Sequence, residues 1–337
     1  MEHLNERNVF DFARAQFDRA TVDLDLSTFQ PDRIAASILT AAILTKAPAA
    51  PLRLKVPPVN KQEALARNGL LFAFANRPGP VSFEPENPRL DRHLEEWRRP
   101  WTRGTRSPLL PLGLDGGLDI EPSIVGPNHA AFVNPHRAGG APGSNSGVAD
   151  AVRPWLHRLL PKLATAPERT TTGPEFVKAV GTMIDELVEN VVEHAALGNS
   201  LDVFSLVLVS IARGNKADTR HRLYIAVVDT GPGIIETAAR KITGRKRPGQ
   251  MLVPATLLRD LFIGRSQDLG RARGYGLPYV WETVRCWSGA RLVATANEVL
   301  LRSDGEDLET MSVAPVVTGT IITATFPLPP QRHDAQQ

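Results

Sequence analysis

Apolar and polar positions follow two periods along the chain, and the changes between them outline its elements. Near the N-terminus, Thr21 to Leu26 (TVDLDL) and Pro51 to Val56 (PLRLKV) alternate with period two, as half-buried strands do. Pro31 to Lys46 and Asn60 to Asn76 carry helical spacing instead, so a β-α-β-α order and a small α/β domain are expected. Prolines at 78, 80, 85, 88, 100, 108 and 111 then break the pattern. From Asn134 to Asp150 (NPHRAGGAPGSNSGVAD) no apolar period survives, which predicts a linker or long surface loop. Beyond it, Val152 to Lys162, Pro174 to Ala196 and Pro278 to Trp287 read as helices. Leu201 to Ile211, Leu223 to Val228, Ala290 to Ala296 and Thr320 to Phe326 read as strands, with Ser303 to Thr310 loop-like. Helices and strands mix without strict alternation. A two-layer α/β sandwich, with helices on one face of a mostly antiparallel sheet, is expected for this half.

Length fits two compact domains: 337 residues suffice for an N-terminal α/β regulatory or interaction domain (1–133), the linker (134–150), a larger domain (151–330) and a short tail (331–337). Lys and Arg number 39 against 36 Asp and Glu, a net charge of +3 that implies no nucleic-acid partner. The cluster Arg98, Arg99, Trp101 and Arg103 reads as a solvated turn with packed tryptophan, the nucleic-acid patch being the weaker alternative. Cys286 is the single cysteine, so neither an internal disulfide nor a cysteine zinc site can form. The charged N-terminal stretch does not resemble a signal peptide, and no apolar run reaches the roughly 20 residues needed to span a bilayer. A cytoplasmic protein without a membrane partner is expected.

Three segments carry candidate chemistry. In TMIDELVENVVEHA, residues Met183, Ile184, Leu187, Val188, Val191, Val192 and Ala195 fall on one half of a helical wheel. Glu186 and Asn190 stand one turn apart at its border, where a carboxylate could orient or deprotonate a water and a carboxamide oxygen could ligate Mg²⁺. Alone, the segment reads first as an amphipathic surface helix with solvated acids. LYIAVVDTGPGII runs an apolar strand into Asp229, Gly231 and Gly233, where the acid could accept a hydrogen bond from an exocyclic amine and the glycines allow close approach of a flat ligand. A plain turn closing a strand is the alternative. GRARGYGLPYVWETV places Gly274 and Gly276 before a helix with Pro278 in its first turn, downstream of Arg265, Arg271 and Arg273. Such a loop could fold over a polyphosphate, or simply be a basic glycine-rich helix entry. His194 lies one turn after Asn190 and reads first as a locally hydrogen-bonded side chain.

Taken in order, ELVEN (186–190), DTGPG (229–233) and GYGL (274–277) resemble the N, G1 and G2 boxes of the GHKL superfamily, the ATP-binding fold shared by gyrase, the heat-shock chaperone ATPase, histidine kinases and MutL. GTIITATFPLP resembles the closing Gly-Thr strand of that domain and LFIGRS the segment before its lid, so the resemblance spans about Pro174 to Leu328. It implies Glu186 as the catalytic or water-orienting acid, Asn190 as Mg²⁺ ligand, and Asp229 as reader of the adenine amino group with Thr320 nearby. It further implies Gly231 and Gly233 around the base and Gly274 and Gly276 facing phosphate. Pro278 stands where many members have glycine and no lysine precedes the G2 glycines, so Arg265, Arg271 and Arg273 are candidate phosphate-binding substitutes. The N-terminal part loosely resembles a STAS-like regulatory domain, with no diagnostic residue.

The resemblance implies ATP and Mg²⁺ as cofactors and a signalling role, as a slow ATPase or protein kinase that couples nucleotide state to a protein partner or to the N-terminal domain. A non-hydrolysing, ATP-gated interaction module, anti-sigma-like or a defence-system sensor, is the alternative, and the resemblance admits a homodimer. No histidine lies in an obvious two-helix phosphoacceptor segment, which disfavours a complete autophosphorylating histidine kinase.

Overall fold

The computed structural model describes residues 2–17, 22–27, 29–45, 51–56, 70, 74, 79–88, 90–92, 109–110, 129–133, 148–163, 172–191, 193, 205–213, 220–243, 253–265, 276–303, 307–315, 317–328 and 330. In chain order its strands are β1 (Glu2–Leu4), β2 (Val22–Asp25), β3 (Phe29–Pro31), β4 (Leu52–Lys55), β5 (Val81–Glu84), β6 (Leu109–Leu110), β7 (His129–Val133), β8 (Ser205–Arg213), β9 (His221–Asp229), β10 (Arg291–Ala296), β11 (Val299–Ser303), β12 (Leu308–Ser312) and β13 (Thr320–Leu328). The main helices are α1 (Val9–Phe17), α2 (Arg33–Thr45), α3 (Val148–Leu163), α4 (Thr172–Asn190), α5 (Ile234–Thr243), α6 (Pro254–Ile263) and α7 (Gly276–Arg285). None of the described helices is long and apolar enough to cross a membrane.

Eight strands form one antiparallel sheet in the order β12-β11-β10-β13-β9-β8-β7-β6. Its central strands are apolar on both faces, because both are covered. On β9, Leu223, Ile225 and Val227 point into a core with α3, α4, α6 and α7. Their neighbours Ala226 and Val228 enter a second core with residues of α1, α2, β2 and β4. Phe176 of α4 anchors the first core, fully buried and edge-on to both Trp287 and Phe326 at centroid distances of 5.0 and 5.4 Å. The molecule is therefore mixed α/β with three layers where two were expected: the N-terminal elements occupy the face that a two-layer sandwich would leave to solvent.

That second face rests on α2. RIAASILTAAILT is apolar almost all round, as a helix buried on several sides must be, and Ile38, Leu39, Ala41, Ala42 and Ile43 are fully buried. It packs against α1 and against β9 and β13. Asp32 caps it, its Oδ1 accepting from the Ala35 amide at 2.7 Å, and the Arg33 guanidinium lies 4.6 Å above the centroid of the Tyr224 ring on β9. A second tie is the ion pair between Arg291 of β10 and Glu6, 2.8 Å long. Strands β2, β4 and β5 make a separate three-stranded parallel sheet, and β1 pairs in parallel with β3.

Several expectations change. Ser303 and Thr310, assigned to a loop, belong to the strands β11 and β12, which pair antiparallel from Val299↔Ser312 to Ser303↔Leu308. The Arg302–Glu309 pair links the two strands, Glu309 exposed and Arg302 largely covered, so the segment reads as polar although Leu301 and Leu308 are buried. Residues 148–150, placed in the linker, begin α3, and β7 from the N-terminal side of 134–147 pairs with β8. The large sheet thus draws strands from both sides of the expected boundary. The α4 helix is α-helical to Asn190 and continues as a wider π-type turn at Val191 and Glu193, while 194–196 lie outside the described residues. The helix expected at Asn60 to Asn76, apart from Leu70 and Phe74, the Arg98–Arg103 cluster, the residues 134–147 and the tail lie outside the described residues.

Candidate functional site

Where β9 and β13 meet, the register Thr320↔Asp229 puts an acid and a hydroxyl side by side on the face that looks toward α4. Alternation fixes this direction: Val227 and Ile322, two residues inward on each strand, are buried on the same side. Asp229 is 6% exposed. Its Oδ1 accepts from the Gly231 amide at 2.9 Å, and the Thr320 hydroxyl donates to the same carboxyl group. Burial nevertheless dominates and pushes its pKa up to about 6, the hydrogen bonds from Gly231 and Thr320 opposing it only in part. Thr320 Oγ1 in turn accepts from the Ile234 amide at 3.0 Å, tying the start of α5 to the strand pair. Gly233 precedes that helix, and its carbonyl accepts from Thr237 Oγ1 at 2.9 Å.

Asp229, Thr320 and Gly233 line an open cavity, with Leu187, Asn190 and Val191 of α4 as one wall and Val227, Ile234 and Ile322 as apolar surfaces. That lining, mostly apolar with a few convergent polar groups, is of the kind that takes a small organic ligand. Gly319, just before Thr320, has φ +105°, and a Cβ there would stand 2.1 Å from the Asp229 carbonyl oxygen. Only glycine lets the two strands close at this point.

Beside Asn190, α7 begins against α4. A Cβ on Gly276 would stand 2.9 Å from Glu186 Oε2 and 3.1 Å from Asn190 Nδ2, so the absent side chain is what admits the two polar groups to the helix start. Glu186 is half-buried, and its pKa is raised, first by burial and then by the neighbouring Glu189, Asp185 and Glu193. A carboxylate with raised pKa holds a proton more readily, which suits a general base. Asp185, on the next face, instead pairs with Arg153 of α3 at 2.8 Å and holds the two helices together.

The Asn190 Nδ2 atom is buried without a hydrogen-bond partner among the described residues. A carboxamide turned about its last bond presents its oxygen at that place instead, which fits a hard cation shared with ligand phosphates. No group of three or more His, Cys, Asp or Glu gathers among the described residues, so a cation here would draw most of its ligands from substrate and water.

Of the residues singled out in the sequence, Asn190, Asp229, Gly233 and Thr320 line the cavity, Glu186 and Gly276 meet beside Asn190, and Gly231 donates to the Asp229 carboxylate. Arg265 is exposed beyond Gly264 and does not line the cavity. Gly274, Arg271, Arg273 and His194 lie outside the described residues. Sequence reasoning passed over the apolar walls Leu187, Val191, Ile234 and Ile322 as cavity residues, since their periodicity marks only a core. It also passed over Ser205, fully buried opposite Asp229 on β8; a single serine at a strand start carries no signal of its own. The chain matches no family model and no curated protein.

Proposed function

We propose that this protein binds Mg-ATP in a GHKL-type pocket and acts as a slow ATPase or protein kinase whose nucleotide state is coupled to a partner or to the N-terminal elements. The observation that carries this reading is one cavity lined by both Asn190, beside which Glu186 and Gly276 meet, and the buried Asp229–Thr320 pair. Two short motifs far apart in sequence line one open cavity, and the third comes beside Asn190 at Gly276.

In this reading the ionised Asp229 carboxylate accepts a hydrogen bond from the adenine amino group, while Val227, Ile234 and Ile322 cover the base. Gly231 keeps the carboxylate in place through its amide. Asn190 is the residue that would hold Mg²⁺, which when bound offsets phosphate charge. The start of α7 at Gly276 offers backbone N–H groups toward the phosphates, with Gly274, Arg271 and Arg273 as candidates from the preceding segment. Glu186 orients or deprotonates the attacking water or acceptor hydroxyl. Coupling has a physical route, because α2 packs on the far face of β9 and β13, the strands that end in Asp229 and Thr320.

Phosphate release and phosphoprotein formation with Mg-ATP, measured on wild type and Glu186→Ala, test the proposal. Turnover in wild type that vanishes in a variant still able to bind nucleotide supports it. Unchanged turnover in Glu186→Ala removes Glu186 from the chemistry. Binding with neither product in wild type leaves the ATP-gated interaction module as the reading.

A further inference from the structure

The bend that carries Gly233 is held from behind by a part of the chain far from it in sequence. Strands β10 and β11 pair up to Ala296↔Val299, so Asn297 and Glu298 make the turn between them. Across the sheet the same end runs Ala296↔Thr320 and Thr320↔Asp229, which sets this turn near the acid that lines the cavity. A Cβ on Gly233 would stand 3.0 Å from Asn297 Oδ1 and 3.0 Å from the Gly319 carbonyl oxygen. Gly233 is thus wedged between the β10–β11 turn and the start of β13. Gly233 lines the cavity and Asn297 does not, so the carboxamide reaches Gly233 from the side away from the ligand space.

We infer that Asn297 is a positioning residue for this cavity, holding the 230–233 bend inward against the flat part of a bound ligand. The backbone accounts for only half of the choice of residue. Asn297 is the one non-glycine residue with a positive φ, +53°, among the described residues. Glycine takes such a conformation most freely and asparagine tolerates it, so the turn alone would be served by either. Only asparagine brings a side chain to Gly233. The turn is itself anchored, because the Glu298 carbonyl accepts from the Val313 amide at 2.8 Å, so the side chain bears on Gly233 from a fixed base.

On the cavity side the bend is tied by two hydrogen bonds, the Gly231 amide to Asp229 Oδ1 at 2.9 Å and the Ile234 amide to Thr320 Oγ1 at 3.0 Å. Between these ties Gly233, at φ +83°, has no side chain of its own to fix its place, and Asn297 with the Gly319 carbonyl supplies the stop. With the carboxamide removed the bend can retreat, and a flat ring loses contact with Gly233 and Ile234. The contact stands on geometry alone; its consequence for nucleotide affinity rests on the Mg-ATP reading above, in which the base lies against these residues.

Asn297→Gly keeps the turn and removes the carboxamide, whereas Asn297→Asp keeps the shape and an oxygen at the contact. Amide NMR of the full chain without nucleotide, followed by titration with Mg-ATP and with Mg-ADP, compares both variants with wild type. In Asn297→Gly the Gly233 and Ile234 resonances should move, and the affinities for ATP and ADP should fall by the same factor, about fivefold or more, because the base is common to both. Asn297→Asp should move the two resonances less and stay within about threefold of wild type for both nucleotides. Unmoved resonances or wild-type affinity in Asn297→Gly, a loss confined to ATP, or an equal loss in Asn297→Asp would overturn the inference. An Asn297→Gly chain that fails to fold also overturns it, since the residue then serves the fold and not the bend. Wild type that binds neither nucleotide refutes the Mg-ATP reading instead, and the resonances then decide the role of Asn297 by themselves.

Discussion

Asp229→Asn should make the protein more stable and a worse nucleotide binder at pH 8. In the folded chain burial raises the Asp229 pKa from 3.8 to about 6, a difference equivalent to ~3 kcal/mol at about 1.36 kcal/mol per pH unit. Because the folded value lies above the unfolded one, the favourable contribution is complete below about pH 4. It is lost as pH rises through 6, where the buried group must ionise. Asparagine has no charge to bury, so it escapes that loss. It also replaces one acceptor oxygen by a donor and so weakens a hydrogen bond from Thr320, which costs about 1 kcal/mol. The net expectation is a gain of ~1–2 kcal/mol at pH 8, and equality or a loss of about 1 kcal/mol at pH 4. Urea unfolding of both proteins at the two pH values measures the crossing. ATP affinity at pH 8 should fall roughly 10- to 100-fold, the worth of a charge-assisted hydrogen bond. An Asn variant that is less stable than wild type at pH 8, or whose stability has the wild-type pH dependence between 4 and 6, would refute the description of Asp229 as a buried charge kept at the expense of stability.

Other outcomes follow from the same geometry. Gly276→Ala should lower ATP affinity at least tenfold by calorimetry while changing stability by less than about 1 kcal/mol, since alanine favours the helix but crowds Glu186 and Asn190; wild-type affinity would detach α7 from the site. Gly319→Ala should destabilise by at least ~3 kcal/mol in urea, from a positive φ combined with a clash on the Asp229 carbonyl. Phe176→Ala, which empties the space between Trp287 and Phe326, should cost about 3–5 kcal/mol in the same assay. Arg291→Met leaves Glu6 in a poorly hydrated place without its ion-pair partner and should destabilise by ~2–4 kcal/mol at pH 7 in urea unfolding.

Much of the site was legible because each part carried a local signal. The spacing of Met183, Leu187 and Val191 announced a helix with Glu186 and Asn190 at its edge, and the run LYIAVV into Asp229 announced a strand end. Pro278 marked the first turn of α7, although the helix starts two residues earlier, at Gly276. The position of the N-terminal elements was not legible in this way. Its trace is the absence of alternation in LVLVSIA and TIITATF, which signals strands buried on both faces but does not say by what. The helices α1, α5 and α6 and the hairpin of β11 and β12 also went unread. In α6, Pro254 opens the first turn and Gly264 closes the helix at φ 72°, but only ten residues separate them, too few for a strong period. In β11 and β12, the cross-strand pair Arg302–Glu309 hid a hairpin behind charges.

The central claim is that Asp229 reads the amino group of adenine. Titrating the full chain at pH 8 with Mg-ATP and, separately, Mg-GTP tests it most directly, because guanine presents a carbonyl oxygen where adenine presents that amine. One saturable ATP site, with GTP at least tenfold weaker, is the predicted result; equal binding of the two, or binding of neither, would contradict it.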